Sequence, residues 1–322
     1  MELTPEIIHR IELLEHKYKS MGQDLVSYLD GLLYADYLTY WDYIHLDTLL
    51  SLQNPKTKIP DEEIFIIYHQ ITELYFKLIL HEMKQIGSHK AISVNFMTKR
   101  ITRINRYFEN LTHSFDVMVD GMDQQQFLQF RMSLLPASGF QSAQYRMIEI
   151  CSTDFKNLVA ADKRLKFADK PDATIEDMFE FIYWKTGATE LSTGKKTLTL
   201  NQFEIKYTKQ LIALAKEFRK TNLWSLYKSL PKEEQENEQL LIALKQLDVN
   251  VNINWPLSHY KSAVRYLQKD PIDIAASGGT NWQKYLPPRF QKRIFYPELW
   301  SSGEIENWGK AWVHEVVLKS KV

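Results

Sequence analysis

Apolar residues recur at three- and four-residue intervals along most of the chain, and no stretch keeps the strict alternation of a strand. That period is helical, so an all-α fold is expected. Thr4 caps a first helix with Pro5 at its first position, and Ile7, Ile8, Ile11 and Leu14 follow on one face. Residues 24–52 read as short helices around a Tyr-rich segment, and 53–60 as a loop. Further helices are predicted over about 92–119, 123–134, 140–151, 174–186, 201–220, 231–246, 256–268 and 303–319, in the helical spacing of their apolar positions. Breaks fall at LPASG (135–139), at LSTGKKT (192–198) and in the Gly/Pro-rich run 270–290.

The run DEEIFIIYHQITELYFKLILHEMK stands apart. Acids Asp61, Glu62 and Glu63 follow Pro60 in a first turn, and from Ile64 to Leu80 the pattern is apolar on nearly every side. Such a helix is expected in the core. His69 inside it then needs a partner or a purpose, and Phe65, four residues earlier, shares its face. An aromatic wall beside a buried imidazole suits a flat aromatic ligand.

Composition narrows the classes. With 322 residues, 44% of them hydrophobic, the chain can bury a sizeable core. Its 40 basic residues balance 40 acidic ones, so charge gives no reason to expect nucleic acid or an anionic membrane. One cysteine, Cys151, excludes an internal disulfide and a multi-cysteine metal cluster. The first residues lack the apolar core of a signal peptide, and no uncharged apolar run is long enough to span a membrane. A single helical domain over 1–322, cytoplasmic and outside the membrane, is therefore expected.

No His-Glu-x-x-His, Gly-x-Ser-x-Gly or P-loop pattern is present. Among nine histidines, His69 and His259 stand out. His259 lies one turn into a helix that Trp255-Pro256 marks as starting, and a single imidazole in an apolar pocket can ligate haem iron. A solvated or hydrogen-bonded histidine is the simpler reading of spacing alone. Arg131 shares a helix face with Phe127, four residues before it. On spacing it reads more simply as a surface guanidinium whose stem covers neighbours, with a carboxylate fork as the alternative. The cluster Tyr34, Tyr37, Tyr40, Trp41 and Tyr43 suits equally an interface, a pocket rim or core packing.

Taken in order, TYWDYIHLDTLLSLQNP, DEEIFIIYHQITELYFK and FLQFRMSLLPASGFQSAQYRMIE resemble the tryptophan 2,3-dioxygenase family. WPLSHYKSAVRYL and ASGGTNWQKYL look like that family's haem-ligand helix and Gly-rich substrate loop. The resemblance is dense over 40–82 and 123–150, thinner over 255–290, and does not place 151–250. It implies a mainly helical homotetramer (a dimer of dimers) with haem b in each subunit. It also implies insertion of both atoms of O2 across the indole C2–C3 bond of L-tryptophan, giving N-formylkynurenine.

By the same resemblance His259 is the proximal iron ligand, and His69 hydrogen-bonds the indole N–H. Phe65 and Phe127 wall the pocket, and Arg131 binds the substrate carboxylate. Ser138 lies near the haem edge. Ser277, with Thr280 as fallback, meets the ammonium group. Tyr40, Tyr43 and Ile44 belong to a segment, within 1–50, that reaches a neighbouring subunit. The chain departs from the pattern at Tyr75, where the family has tryptophan, and at Pro256, where it has arginine. Ser277 replaces a threonine, and the stretch from His259 to the SGG loop is longer. A haem enzyme acting on a modified indole, and a non-catalytic haem or indole sensor, are the competing expectations. A helical scaffold without haem is the blandest.

Overall fold

The computed structural model describes residues 3–35, 38–89, 92–134, 141–168, 170, 173–189, 195–266, 288 and 292–310. It divides into two compact units, Met1–Asn54 and Pro55–Val322. Among the described residues there is no sheet, only the isolated antiparallel bridges Val159–Ile182 and Thr189–Lys196, so the all-α class is as expected.

The first unit holds α1 (Pro5–Ser20), α2 (Leu25–Leu33), α3 (Tyr40–Tyr43) and α4 (Leu46–Leu49). Thr4 caps α1 as predicted, its hydroxyl accepting from the Ile7 N–H at 3.4 Å. Asp24 caps α2 through the N–H groups of Val26 and Ser27. Tyr18 and Tyr28 stack at 4.2 Å and join the two helices. Leu25 is the one buried side chain among this unit's described residues. The face of Ile7, Ile8 and Leu14 stays exposed.

The second unit begins with α5 (Asp61–Ser88), α6 (Val94–Ser114), α7 (Asp116–Val119), α8 (Gln124–Ser133) and α9 (Ala143–Ser152). It continues with α10 (Leu165–Ala168), α11 (Ile175–Phe179), α12 (Tyr183–Gly187), α13 (Leu198–Glu217), α14 (Leu223–Ser229) and α15 (Lys232–Gln235). Last come α16 (Glu238–Val249), α17 (Trp255–Tyr266) and α18 (Ser302–Glu306). Helices α5, α6, α9 and α16 form the centre. Met97, Ile101, Ile104, Phe108 and Leu111 of α6 fall on one stripe and are buried, as are Phe76, Ile79, Met83 and Ile86 of α5. Glu82, buried on α5, takes Arg100 at 2.9 Å and Arg103 at 2.8 Å, so the charge inside the interface is paired. Glu62, also buried, accepts the Lys56 and Thr57 N–H groups at 2.7 and 2.6 Å and closes the loop before α5.

Several boundaries differ from the sequence pattern. Helix α5 is not buried all round: Ile67, Ile71, Leu74 and Leu78 form a second apolar stripe that is 38–48% exposed. The predicted helix over 174–186 splits into α11 and α12, because Ile182 leaves the helix to bridge Val159. The one over 231–246 splits because Asn237 caps α16 through the Leu240 N–H at 3.0 Å. Asn222 caps α14, which was not anticipated. Helix α17 begins at Trp255, as Trp255-Pro256 predicts, but it continues from α16 through a π turn at Asn250–Asn254 and follows no loop. Of the expected helix 303–319, residues from 311 lie outside those described.

Phe108 is fully buried on α6. Phe108→Ala is expected to cost about 3–5 kcal/mol in urea unfolding. Ile205→Ala, on an exposed face of α13, is expected to change stability by less than about 0.5 kcal/mol.

Candidate functional site

Two helix starts are latched together. The Asp61 carboxylate accepts the Asp123 N–H at 2.6 Å, and the Gln126 side-chain oxygen accepts the Asp61 N–H at 3.3 Å. This sets the first turn of α5 against the first turn of α8. One turn further along each helix, Phe65 lies 6.3 Å from Phe127 and 5.7 Å from Phe130, ring centre to ring centre. His69 stands against Phe65 at 4.1 Å. Its Nδ1 meets the Phe65 carbonyl at 2.7 Å. A carbonyl only accepts, so Nδ1 carries the proton and Nε2 keeps a lone pair.

Helix α17 closes the other side. Tyr266 packs on Phe127 at 4.6 Å and donates its hydroxyl to the Met122 carbonyl at 3.2 Å, while the Ser262 hydroxyl donates to Met118 at 2.9 Å. These bonds tie α17 to α7 and to the turn that follows it. His259 sits between Trp255 and Phe115, 4.6 Å from each ring. Its Nδ1 donates to the Trp255 carbonyl at 3.2 Å, which again leaves Nε2 as the free donor of a lone pair. Phe115 lies 5.7 Å from Tyr68, and Tyr68 lies 6.3 Å from His69. An unbroken aromatic path thus joins the two imidazoles.

Both imidazoles favour the neutral form. Desolvation pushes His259 down to about 4, and the neighbouring His69 and Arg146 push the same way. His69 is lowered too, first by desolvation and further by the Arg131 charge, against the opposing Phe65 hydrogen bond. Arg131 is itself lowered by desolvation. By surface area His69 is exposed, not buried as its helix pattern predicts, and His259 and Arg131 are half-buried. The site therefore offers two neutral imidazoles, aromatic walls and one guanidinium.

Phe65, His69, Phe127, Arg131 and His259 thus converge in one unit. Tyr40 and Tyr43 are exposed on α3, and Ile44, just after it, is half-buried, all in the first unit. Ser138, Ser277 and Thr280 lie outside the described residues. Sequence reasoning missed Tyr68, Phe115, Phe130, Trp255 and Tyr266 as parts of the wall. Trp255 was legible, four residues before His259; Phe115, on a different helix, carried no signal in its neighbours.

The all-helical body thus carries two histidines that favour the neutral form, aromatic rings and a guanidinium on α5, α8 and α17. A model of the tryptophan 2,3-dioxygenase family matches residues 32–252, which include Phe65, His69, Phe127 and Arg131 and stop short of His259. A tryptophan 2,3-dioxygenase of Ruegeria sp. (strain TM1040) is 43% identical over 119 residues, covering 36% of this chain and 42% of that protein. One from Polaromonas naphthalenivorans is 40% identical over 113 residues, 35% of this chain and 40% of its own. These alignments span about two fifths of the relatives' length. One from Bacillus thuringiensis subsp. konkukian is 27% identical over 277 residues, 83% of this chain and 92% of that protein. The chain belongs to the tryptophan 2,3-dioxygenase family.

The depressed His259 is expected to make the protein acid-sensitive. Above pH 6.5 folded and unfolded chains both hold neutral imidazoles; between about 6.5 and 4 only the unfolded chain binds the proton at His259. Stability is expected to fall as pH drops through that window, read as a falling urea midpoint. In His259→Gln the fall should be shallower; an identical slope would contradict the assignment.

Proposed function

We propose that the chain is a haem-dependent dioxygenase that inserts O2 across the indole C2–C3 bond of L-tryptophan, giving N-formylkynurenine. The observation that carries this reading is the pair His69 and His259. Each is held at Nδ1 by the carbonyl four residues earlier, each keeps Nε2 available, and Tyr68 and Phe115 join them. Family membership supports the same reading.

The donor set fits haem b. A neutral imidazole with a free Nε2, walled by Trp255 and Phe115, is the type of ligand that would hold a haem iron. The hydrogen bond from Nδ1 to Trp255 orients that ring and raises its basicity. His259 would hold the iron, with Ser138 near the haem edge. Bound haem supplies the binding and activation of O2.

The protein's own residues bind and orient tryptophan. His69 Nε2 accepts the indole N–H, a role that needs the neutral tautomer held by Phe65. It need not remove that proton, since an indole N–H is a very weak acid. Phe65 and Phe127 pack on the indole and exclude water. Arg131 takes the carboxylate through a two-pronged hydrogen bond. The hydroxyl of Ser277, or of Thr280, takes the ammonium group.

A homotetramer built as a dimer of dimers completes the proposal. Tyr40, Tyr43 and Ile44 then reach a neighbouring subunit's site. The exposed apolar stripe of α5 and the exposed apolar face of α1 support association, since a monomer gains nothing by leaving such stripes wet. Among the described residues no helix is long and apolar enough to cross a membrane. We place the protein in the cytoplasm, with no nucleic-acid partner.

The deciding experiment is anaerobic reduction of the haem-loaded protein, then addition of O2 and L-tryptophan with the ultraviolet spectrum followed. N-formylkynurenine is the expected product. Oxygen uptake only with a substituted indole would move the reading to a modified substrate. Tryptophan binding without oxygen uptake would move it to a sensor. His259→Ala is expected to lose the Soret band after reconstitution, and full haem occupancy would remove the ligand assignment. Arg131→Ala is expected to raise the tryptophan KM by about 10- to 150-fold, the equivalent of a charged hydrogen bond of about 1.5–3 kcal/mol. An unchanged KM would remove the carboxylate role.

A further inference from the structure

The π turn between α16 and α17 leaves a backbone acceptor without a helical donor. The Trp255 N–H bonds to the Asn250 carbonyl, five residues back, instead of to Val251. The next residue that could serve Val251 by the same five-residue step is Pro256, which has no N–H. Val251 is fully buried, so water cannot make up the loss. Two side chains from elsewhere in the fold fill the vacancy. The Tyr145 hydroxyl, from α9, donates to the Val251 carbonyl at 2.7 Å, and Arg293 donates to it at 3.3 Å.

Arg293 is itself locked from several sides. Its guanidinium also donates to the Tyr145 hydroxyl at 3.1 Å, to the Asn252 side-chain oxygen and to the Tyr183 hydroxyl. It pairs with the buried Glu149 at 2.8 Å, and Arg146 holds the other oxygen of that carboxylate at 3.0 Å. Asn252 in turn donates to Asp248 at 2.6 Å, on the last turn of α16. Asp248 also accepts the Phe295 and Tyr296 N–H groups at 3.0 and 3.1 Å, so the segment that carries Arg293 is clamped to the same turn.

The consequence lies downstream. A π turn adds one residue to the helix, and one residue is about 100° of rotation. Whether the turn is kept or lost therefore decides which way α17 faces. We propose that Tyr145 and Arg293 are positioning residues for His259: by occupying the Val251 carbonyl that the π turn and Pro256 leave without a donor, they hold the rotation at which α17 presents that imidazole to the pocket. The effect on an iron ligand rests on the haem reading above; the latch itself does not.

Tyr145→Phe removes the hydroxyl and keeps the ring packed on Phe76, 5.5 Å away. In the haem-free protein, amide exchange over 252–259 is expected to quicken about tenfold, the scale of one buried hydrogen bond. In the ferrous haem-loaded protein, the iron–imidazole stretching band in resonance Raman is expected to shift or broaden. Pro256→Ala restores an N–H five residues after Val251, so both effects should shrink in the double variant. Unchanged exchange and an unchanged band in Tyr145→Phe would overturn the proposal, as would effects equally large with Pro256→Ala. If the native chain takes up no haem, the exchange result still decides the latch, and only the function reading fails.

Discussion

Helix α5 must serve a core and a pocket at once, and the rest of the structure follows from how it does so. Its buried face, from Tyr68 through Phe76, Ile79, Met83 and Ile86, packs on α6 and α9. Burial on that scale is the main favourable term available to the fold. It also anchors a 28-residue helix whose opening turns carry Phe65 and His69. Because the far end is held by α6 and by the Glu82–Arg100–Arg103 cluster, the near end can leave His69 exposed without fraying. The Asp61–Asp123 and Asp61–Gln126 bonds then carry that placement over to α8, so Phe127 and Arg131 inherit their position from α5.

The same logic governs α17, but there the anchor is polar. An aromatic stack holds the face of His259, while its rotation about the helix depends on a π turn that polar side chains must complete. Buried polar networks are costly when incomplete and specific when complete. Pro256 makes the turn more demanding, since it withdraws one more N–H at the place where the helix is already out of step. An imidazole that must be aimed, rather than merely enclosed, gains from such a single-valued constraint. The two histidines use one device for their tautomer, a carbonyl one turn back, and differ in what holds their helices.

Much of this was legible along the chain. The helical period gave the fold class, Thr4 and Pro5 marked α1, and Phe65/His69 and Phe127/Arg131 were paired by simple four-residue spacing. Motif order pointed to the family that the comparisons bear out. What failed did so for identifiable reasons. The α5 pattern was read as buried all round, because periodicity reports which positions are apolar and not how many neighbours the chain has to cover them. Trp255-Pro256 does mark the start of α17, but nothing near it announces that the helix continues from α16 through a π turn.

The sequence by itself determined helicity, the caps, and the pairs that lie one turn apart, since these depend on residues a few positions from each other. It also determined that Pro256 could give no hydrogen bond. Tertiary structure alone decided that Phe115 stands between Tyr68 and His259, that Asp61 ties α5 to α8, and that Tyr145 and Arg293 meet at Val251. Those partners are separated by tens to more than a hundred residues. No local pattern encodes such a meeting; it arises because burying the stripes of α5, α6 and α16 leaves few ways to route the remaining chain, and a buried carbonyl must find its donor wherever that route brings one.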